Sequence, residues 1–202
     1  MSQTIVLASN NAGKIKEFND LLGNLGFDVK PQNEFDVPEA DETGLTFIEN
    51  AILKARNACA HTGLPALADD SGIEVDFLDG APGIYSARFA GDHGNNEANN
   101  NLLLEKLEGV TDLQRSARFH CVLAYLRHKD DPTPLVFHGV WEGRILSSTE
   151  GQEGFGYDPV FYVPECGCSA ASLPKEVKNQ ISHRAQALKQ LVAAFQQRRT
   201  SL

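Results

Sequence analysis

Residues 5–14 read Ile5-Val6-Leu7-Ala8-Ser9-Asn10-Asn11-Ala12-Gly13-Lys14. The four apolar residues predict a short buried strand, the small polar residues predict a loop, and Lys14 falls in the first turn of a predicted helix. A helix N-terminus exposes unpaired N–H groups and a partial positive charge, so a lysine there is unfavourable unless an anion lies nearby. Because strand–loop–helix junctions commonly bind phosphate, the stretch predicts a phosphate-binding loop. A helix N-cap at Ser9, Asn10 or Asn11 beside a solvated lysine remains the alternative.

Outward from this stretch, hydrophobic periodicity predicts helices that first alternate with strands, followed by strands that pair directly. The predicted helices cover residues 14–25, 47–62, 95–107 and 183–199, and the predicted strands cover 4–8, 27–30, 66–68, 116–126 and 135–141. Thr46-Phe47-Ile48-Glu49 is a capping box that marks the start of the second helix. This order of elements predicts a mixed α/β sheet flanked by helices.

Length and composition predict one globular domain over residues 1–202, with room for two lobes. The 202 residues are 42% hydrophobic, with no signal-peptide pattern and no apolar run near the ~20 residues that span a bilayer. We therefore expect a cytoplasmic protein. The net charge of −9 argues against nucleic-acid binding, which needs a basic face.

The four cysteines predict neither a disulfide framework nor a zinc site. Cys59 falls in a helical pattern and Cys121 in a strand pattern, where each is expected to act as a small apolar residue. Cys166-Gly167-Cys168 lacks the spacing of a zinc pair, and no second Cys or His pair completes one.

Carboxylates at the end of the predicted strand 66–68 are the first candidates for chemistry. Asp69 and Asp70 precede Ser71-Gly72, and residues 73–75 are an optional continuation of the strand. Successive strand residues point to opposite faces, so one of the two carboxylates is expected to face a given site, where it can bind Mg²⁺ or activate water. Glu42, in the loop before the capped helix, can supply a second oxygen ligand. The alternatives are an Asp pair that shapes a turn and a solvated loop acid.

Two further segments point to a nucleotide. Gly154-Phe155-Gly156-Tyr157-Asp158-Pro159 places aromatic side chains among glycines, where a planar base can stack; a turn whose rings pack into the core is the alternative. Ser182-His183-Arg184, one helical turn after Lys178, again places cationic residues at a predicted helix start. A solvated basic helix start is the alternative.

Six motifs in this order make the whole chain resemble the inosine-triphosphate pyrophosphatase family, the XTP/dITP diphosphatases. They are Ser9-x-Asn11-x-Gly13-Lys14, Glu42-x-Gly44-x-Thr46-Phe47-x-Glu49-Asn50-Ala51, Ala68-Asp69-Asp70-Ser71-Gly72, Gly80-Ala81-Pro82-Gly83-Ile84-Tyr85-Ser86-Ala87-Arg88, Gly154-Phe155-Gly156-Tyr157-Asp158-Pro159 and Ser182-His183-Arg184. The resemblance implies an elongated mixed α/β fold with a cleft between two lobes, a homodimer, and dependence on Mg²⁺. It also implies hydrolysis of ITP, dITP and XTP to the monophosphate and pyrophosphate.

The resemblance also assigns roles to residues. The triphosphate is assigned to the residues of the first motif: Ser9, Asn10, Asn11, Ala12, Gly13 and Lys14. Lys54 and Arg88 match further basic positions near the phosphates. Asp70 matches the general base and a metal ligand, Glu42 the other ligand, and Ser71 a substrate contact. The base pocket is assigned to Phe155, Gly156, Tyr157, Asp158, Lys178, His183 and Arg184.

From these assignments we expect water to attack the α-phosphorus while Asp70 takes its proton. A donor that matches the 6-keto group favours hypoxanthine and xanthine over adenine. Guanine also has a 6-keto group, so exclusion of GTP needs a second device that acts on the 2-amino group. We expect a preference for ITP and XTP over both ATP and GTP. A P-loop enzyme is excluded because Ile15 follows Lys14 where Ser or Thr is needed, and a dinucleotide oxidoreductase because GxGxxG is absent. A pyrophosphatase for other modified nucleotides and a non-catalytic nucleotide-binding protein remain as alternatives.

Overall fold

The structure is a computed structural model that describes residues 3–10 and 12–200, with side chains for 3–10 and 14–197. The described residues form seven strands: β1 (Gln3–Leu7), β2 (Phe27–Pro31), β3 (Ala66–Val75), β4 (Ser116–Leu126), β5 (Leu135–Ile145), β6 (Phe161–Val163) and β7 (Cys168–Ser169). They also form five α-helices: α1 (Ala12–Leu22), α2 (Phe47–Thr62), α3 (Asn96–Lys106), α4 (Lys175–Ile181) and α5 (His183–Thr200).

All seven strands belong to one sheet in the order β2-β1-β3-β4-β5-β6-β7. β1 pairs in parallel with β2 and β3, whereas β6 pairs antiparallel with β5 and β7. Parallel pairing needs crossover connections, and the long connections that contain α1 and α2 provide them. The predicted mixed α/β sheet with flanking helices is confirmed.

The prediction that a strand ends before Asp69 and Asp70 is wrong, because β3 runs without interruption from Ala66 to Val75. Both carboxylates are buried inside the strand and pair with lysine side chains. These ion pairs allow charged residues to remain within a central strand, and they override the local turn signal of Ser71-Gly72.

Other element boundaries differ by a few residues or more. α1 begins at Ala12 and ends at Leu22, and β5 continues to Ile145 rather than ending at Trp141. The helix α4 was not predicted, because its seven residues are too few to show clear periodicity. Cys59 in α2 and Cys121 in β4 are buried, as predicted.

The described residues pack into two compact units. The first comprises the residues up to Asp70, residues 122–138 and those from Ala187 onward; the second comprises residues 71–121 and 139–186. Each has its own apolar interior, with Phe18 and Leu123 fully buried in the first and Leu103 and Phe161 in the second. Among the described helices, none is both long enough and apolar enough to cross a membrane.

Arg115 is a buried cation that binds three backbone carbonyl groups in two segments of the second unit. Its guanidinium donates to the carbonyl oxygens of Leu107 (2.7 Å), Val110 (3.0 Å) and Leu146 (2.8 Å). Leu107 is the C-cap residue of α3, where a cation also complements the helix dipole. One side chain therefore ties the end of α3 to the segment after β5.

Replacing Arg115 by Met is expected to lower the free energy of unfolding by about 2–4 kcal/mol, because it leaves buried carbonyl groups without donors. Urea unfolding followed by circular dichroism measures this change. Arg56→Met is the matched control, since Arg56 makes one exposed bond, to the Lys129 carbonyl. Equal effects of the two substitutions would contradict the role given to Arg115.

Candidate active site

The first turn of α1 places Lys14 against β3. The Lys14 ammonium forms an ion pair with the carboxylate of Asp69, a residue that is 5% exposed. Asp69 thus supplies a negative charge beside Lys14, whose position at a helix N-terminus is unfavourable without a nearby anion. Asn11 lies outside the described residues and Ala12 and Gly13 are described by backbone only, so phosphate binding by residues 9–14 stays a prediction.

Lys54 forms ion pairs with both predicted metal ligands, Glu42 and Asp70, and all three residues lie in the first unit. From the middle of α2, its Nζ lies 2.6 Å from Asp70 Oδ1 and 3.1 Å from Glu42 Oε1. Asp69 and Asp70 pair with different lysines, as their positions on opposite faces of β3 require. The prediction that Asp70, Glu42 and Lys54 share a site is consistent with this geometry.

Burial changes the proton affinity of this group. Burial raises the pKa of Asp70 to about 6; the Lys54 ammonium opposes this shift, while the carboxylates of Glu42 and Asp69 add to it. Burial lowers the pKa of Lys54, but the carboxylates around it outweigh burial and raise it overall. Asp70 is therefore a stronger proton acceptor than an ordinary aspartate, and Lys54 remains charged.

The carboxylates of Glu42 and Asp70 fit a divalent cation. Both converge on one positive charge, the Lys54 ammonium, and both present the oxygen ligands that Mg²⁺ prefers. Within the described residues, no three His, Cys, Asp or Glu side chains form a group that could hold a metal ion. Two carboxylates suffice where substrate phosphates and water complete the coordination.

The second unit contains a cavity of about 160 Å³. Its walls come from β3, from the segment before α3, from β4, from the glycine-rich turn after β5 and from the start of α5. The lining residues are Ser71, Gly72, Ser86, Ala87, Asn96, Phe119, Phe155, Gly156, Tyr157, Asp158, His183 and Arg184. Aromatic rings and a few polar groups in one concave space are typical of a site for a planar ligand.

The turn that carries Phe155 is held by Asp158. Asp158 is 2% exposed, and its Oδ2 accepts a hydrogen bond from Phe155 N (2.7 Å) and pairs with the Lys178 ammonium of α4. A Cβ at position 154 would lie 2.3 Å from this oxygen, and Gly154 has a φ of +85°, so only glycine fits there.

Two cations lie next to the exposed ring of Phe155. Lys178 Nζ is 4.9 Å and the Arg184 guanidinium carbon 5.5 Å from the ring centre. On the buried side, His183 stacks on Phe119 with ring centres 4.8 Å apart and an angle of 13° between the planes. The cavity therefore has an aromatic wall and a basic rim.

Further hydrogen bonds fix the base of the cavity. The Tyr157 hydroxyl donates to Ser86 O (2.8 Å), and its burial raises the pKa of the phenol. Asn100 donates to Gly156 O (3.0 Å) from α3. Tyr157 thus anchors the glycine-rich turn instead of presenting its hydroxyl as a proton donor to a ligand.

The structure brings most of the predicted base-pocket residues together. Seven residues with predicted substrate roles line this cavity: Ser71, Phe155, Gly156, Tyr157, Asp158, His183 and Arg184. Lys178 does not line it but contacts Phe155 and Asp158. Arg88 lies over the ring of Tyr85, at 5.2 Å, and its assignment to the phosphates stays a prediction.

Three residues in or next to these groups carry no role that the sequence motifs assign: Phe119, Asp69 and Asn50. Ser182, at the predicted start of the last helix, caps α5 by accepting a hydrogen bond from Ala185 N (3.3 Å). Phe119 shows no signal in the sequence beyond strand alternation, and the motifs assign no role to Asp69. Asn50 could have been found, since it is a polar residue on the helix face that buries Phe47 and Ala51.

Comparisons with known proteins identify the family of this chain. A model of the Ham1 family matches residues 5–194. A Vibrio cholerae protein named dITP/XTP pyrophosphatase is 60% identical, covering 97% of this chain and 98% of its own length. An Escherichia coli O157:H7 protein of the same name is 58% identical, covering 96% and 98%.

A solved structure shows the same fold. The HAM1 protein from Coxiella burnetii superposes with a TM-score of 0.93 at 50% identity, covering 96% of this chain and 99% of its own. The resemblance inferred from six motifs is confirmed over nearly the whole chain. This chain is an enzyme of the Ham1 family.

Proposed function

We propose that the protein hydrolyses deaminated purine nucleoside triphosphates (ITP, dITP and XTP) to the monophosphate and pyrophosphate, with Mg²⁺ as its metal. The observation that carries the proposal is the buried Asp70 carboxylate, held beside Glu42 and Lys54 with its pKa raised to about 6. The names of the relatives, which are about 60% identical, support the substrate class.

The phosphate end of the substrate is assigned to the first unit. Glu42 and Asp70 would hold the metal, which when bound neutralises phosphate charge and promotes ionisation of water. Lys54 and Lys14 supply fixed positive charge for the phosphate oxygens, and the backbone of residues 9–14 positions them. Asp70 accepts a proton from the attacking water, a role that its burial favours by raising its pKa in the metal-free site.

The base is assigned to the cavity of the second unit. Phe155 offers a ring on which a purine stacks, and the Lys178 ammonium and the Arg184 guanidinium at its edge are donors. Hypoxanthine and xanthine present a 6-keto acceptor to such donors, whereas adenine presents an amino group. A site built to donate to a keto group leaves its donors unpaired with adenine, which lowers the rate for ATP.

A substrate panel tests the proposal. Purified protein is assayed with ITP, dITP, XTP, GTP and ATP, and pyrophosphate and orthophosphate are measured separately, with Mg²⁺ and with EDTA. We expect pyrophosphate from the first three nucleotides and loss of activity in EDTA. Equal rates on all five would contradict selective recognition, and orthophosphate release would contradict attack at the α-phosphorus.

The same panel separates the alternatives. A pyrophosphatase for other modified nucleotides would act on modified pyrimidine triphosphates in preference to ITP and XTP. A non-catalytic binding protein would release no pyrophosphate and would bind nucleotide equally well in EDTA. The homodimer implied by the resemblance and the cytoplasmic location expected from the sequence also stay predictions, and sedimentation of the purified protein tests the first.

Replacing Phe155 by Ala is expected to lower kcat/KM for ITP and XTP about 5- to 150-fold, since base stacking on an aromatic ring contributes about 1–3 kcal/mol. Steady-state pyrophosphate assays measure this loss. Phe77→Ala is the control, because Phe77 is a similarly exposed phenylalanine of the same unit that does not line the cavity. An unchanged kcat/KM in Phe155→Ala would remove Phe155 from the base site.

A further inference from the structure

The loop that carries Glu42 is held by a buried side chain of α2. Asn50 is fully buried, and its Oδ1 accepts a hydrogen bond from Gly44 N at 2.9 Å. Gly44 is two residues beyond Glu42, so this bond fixes the backbone close to the carboxylate. A buried hydrogen bond is worth more than an exposed one, because water does not compete for its partners.

The approach between loop and helix is close enough to require glycine. A Cβ at position 44 would lie 2.7 Å from Asn50 Oδ1 and 2.6 Å from Glu49 Cβ. Contacts below 3 Å force one of the groups to move, and Asn50 is enclosed on all sides. The close contact with Asn50 therefore requires a glycine at position 44, two residues after Glu42.

A second attachment lies directly after the first. Glu49 Oε2 accepts from Leu45 N (2.9 Å) and from the Thr46 hydroxyl (2.9 Å), while Thr46 Oγ1 accepts from Glu49 N (3.2 Å). This capping box fixes the start of α2. The loop is thus restrained at three consecutive residues, which leaves Glu42 little freedom to leave Lys54.

Asparagine is an unfavourable choice for packing alone. Its Nδ2 is buried with no hydrogen-bond partner within the described part of the chain, and an unsatisfied buried donor is costly. The neighbouring buried positions of α2 are mostly alanine, including Ala51 and Ala55, which carry no such cost. Aspartate would accept the same bond but would bury another negative charge.

We propose that Asn50 is a positioning residue for the metal site: by holding Gly44, it keeps the Glu42 carboxylate beside Asp70. This inference rests on the proposed function, since it gives Glu42 the role of a metal ligand. Asn50 touches neither metal nor substrate in this scheme. Its effect is on the affinity for the metal, because a ligand that must first be ordered binds more weakly.

The test compares Asn50→Ala with Asn57→Ala. Asn57 is an asparagine of the same helix that holds the first part of the same loop, donating to Pro38 O (2.8 Å) at the surface, four residues before Glu42, and it therefore tests whether the bond next to the carboxylate is the one that matters. Mn²⁺ alone is titrated into each protein without nucleotide and followed by electron paramagnetic resonance. Mg²⁺ dependence of pyrophosphate release and thermal unfolding are measured in parallel.

We expect Asn50→Ala to weaken Mn²⁺ binding about tenfold, within the range seen for groups that orient metal ligands, and to raise the half-saturating Mg²⁺ similarly. At saturating Mg²⁺, kcat is expected to stay within about threefold of wild type, and Asn57→Ala to leave the metal affinity unchanged. A loss of thermal stability with unchanged metal affinity would overturn the proposal, because it would show a structural role only.

Gly44→Ala keeps the proposal testable if Asn50→Ala does not fold. Its added methyl group would clash with Asn50 and Glu49 and so displace the loop that carries Glu42. We expect the same loss of Mn²⁺ affinity. Wild-type metal affinity in Gly44→Ala would overturn the inference. Wild-type protein that binds no Mn²⁺ and works in EDTA would instead overturn the metal site itself, so the two failures are distinguishable.

Discussion

Asp70→Asn is expected to lower kcat about 10²- to 10⁴-fold at saturating Mg²⁺, because the amide cannot accept the proton of the attacking water. It also removes a metal ligand, so activity is measured over a wide range of Mg²⁺ to separate the two effects. Asp20→Asn makes the same chemical change at an exposed carboxylate of α1 and serves as control. Near-normal turnover at saturating metal would remove the base role from Asp70.

The same substitution is expected to stabilise the metal-free protein. Burial raises the pKa of Asp70 from 3.8 to about 6, so the folded state binds a proton more tightly than the unfolded state. In wild-type protein this contribution to stability is present below pH 3.8 and is lost as the pH rises through 6. Asparagine at this position does not titrate. The free energy of unfolding of the variant, relative to that of wild type, should therefore rise by about 2–3 kcal/mol between pH 3.5 and pH 8.

Urea unfolding in EDTA at several pH values measures this difference. The gain should follow the titration of a single group with a midpoint between pH 4 and 6. A variant that loses both activity and stability at pH 8 would show that Asp70 is needed for the fold instead of being a strained functional group. Greater stability with lost activity is the pattern expected of a functional carboxylate.

The second large effect is expected from Lys178→Met. The substitution leaves the Asp158 carboxylate, with 3% of its side chain exposed, without its ion-pair partner. Removing one member of a buried pair costs about 3–5 kcal/mol of stability. It also removes a donor beside Phe155, so kcat/KM for XTP should fall about 10- to 100-fold.

A double substitution separates the two consequences. Lys178→Met with Asp158→Asn removes the unpaired charge and should recover most of the stability, but kcat/KM should stay low because the ammonium is still absent. Lys129→Met is the control, since it breaks an exposed pair with Asp130 and should change stability by about 1 kcal/mol or less. Recovery of both properties in the double variant would show that Lys178 acts only through the fold.

Local structure was predictable wherever neighbouring residues decide it. The capping box at Thr46, the N-cap at Ser182 and the apolar periodicity of α2 and β4 depend on residues within one or two turns. The continuation of β3 through Asp69 and Asp70 did not follow the local pattern. It depends on neutralisation by Lys14, which is 55 residues from its partner along the chain, and by Lys54.

The candidate site shows the same division. Phe155 and its glycines predict by composition a turn on which a planar base can stack, but the aromatic wall behind it comes from Phe119 and His183 on distant elements. Asn50 was identifiable only in part. Its polar side chain on the buried face of α2 indicates a buried hydrogen bond, but no local feature indicates that the partner is Gly44.

The amino-acid order alone determined the helix starts, the alternation of apolar residues along strands, the family and the set of charged residues available for chemistry. Only the tertiary structure decided which lysine neutralises which aspartate, and that Glu42 and Asp70 share one cation. The physical reason is range: backbone hydrogen bonds and caps act between near neighbours. The free energy of a buried charge depends on whichever side chains the completed fold places around it.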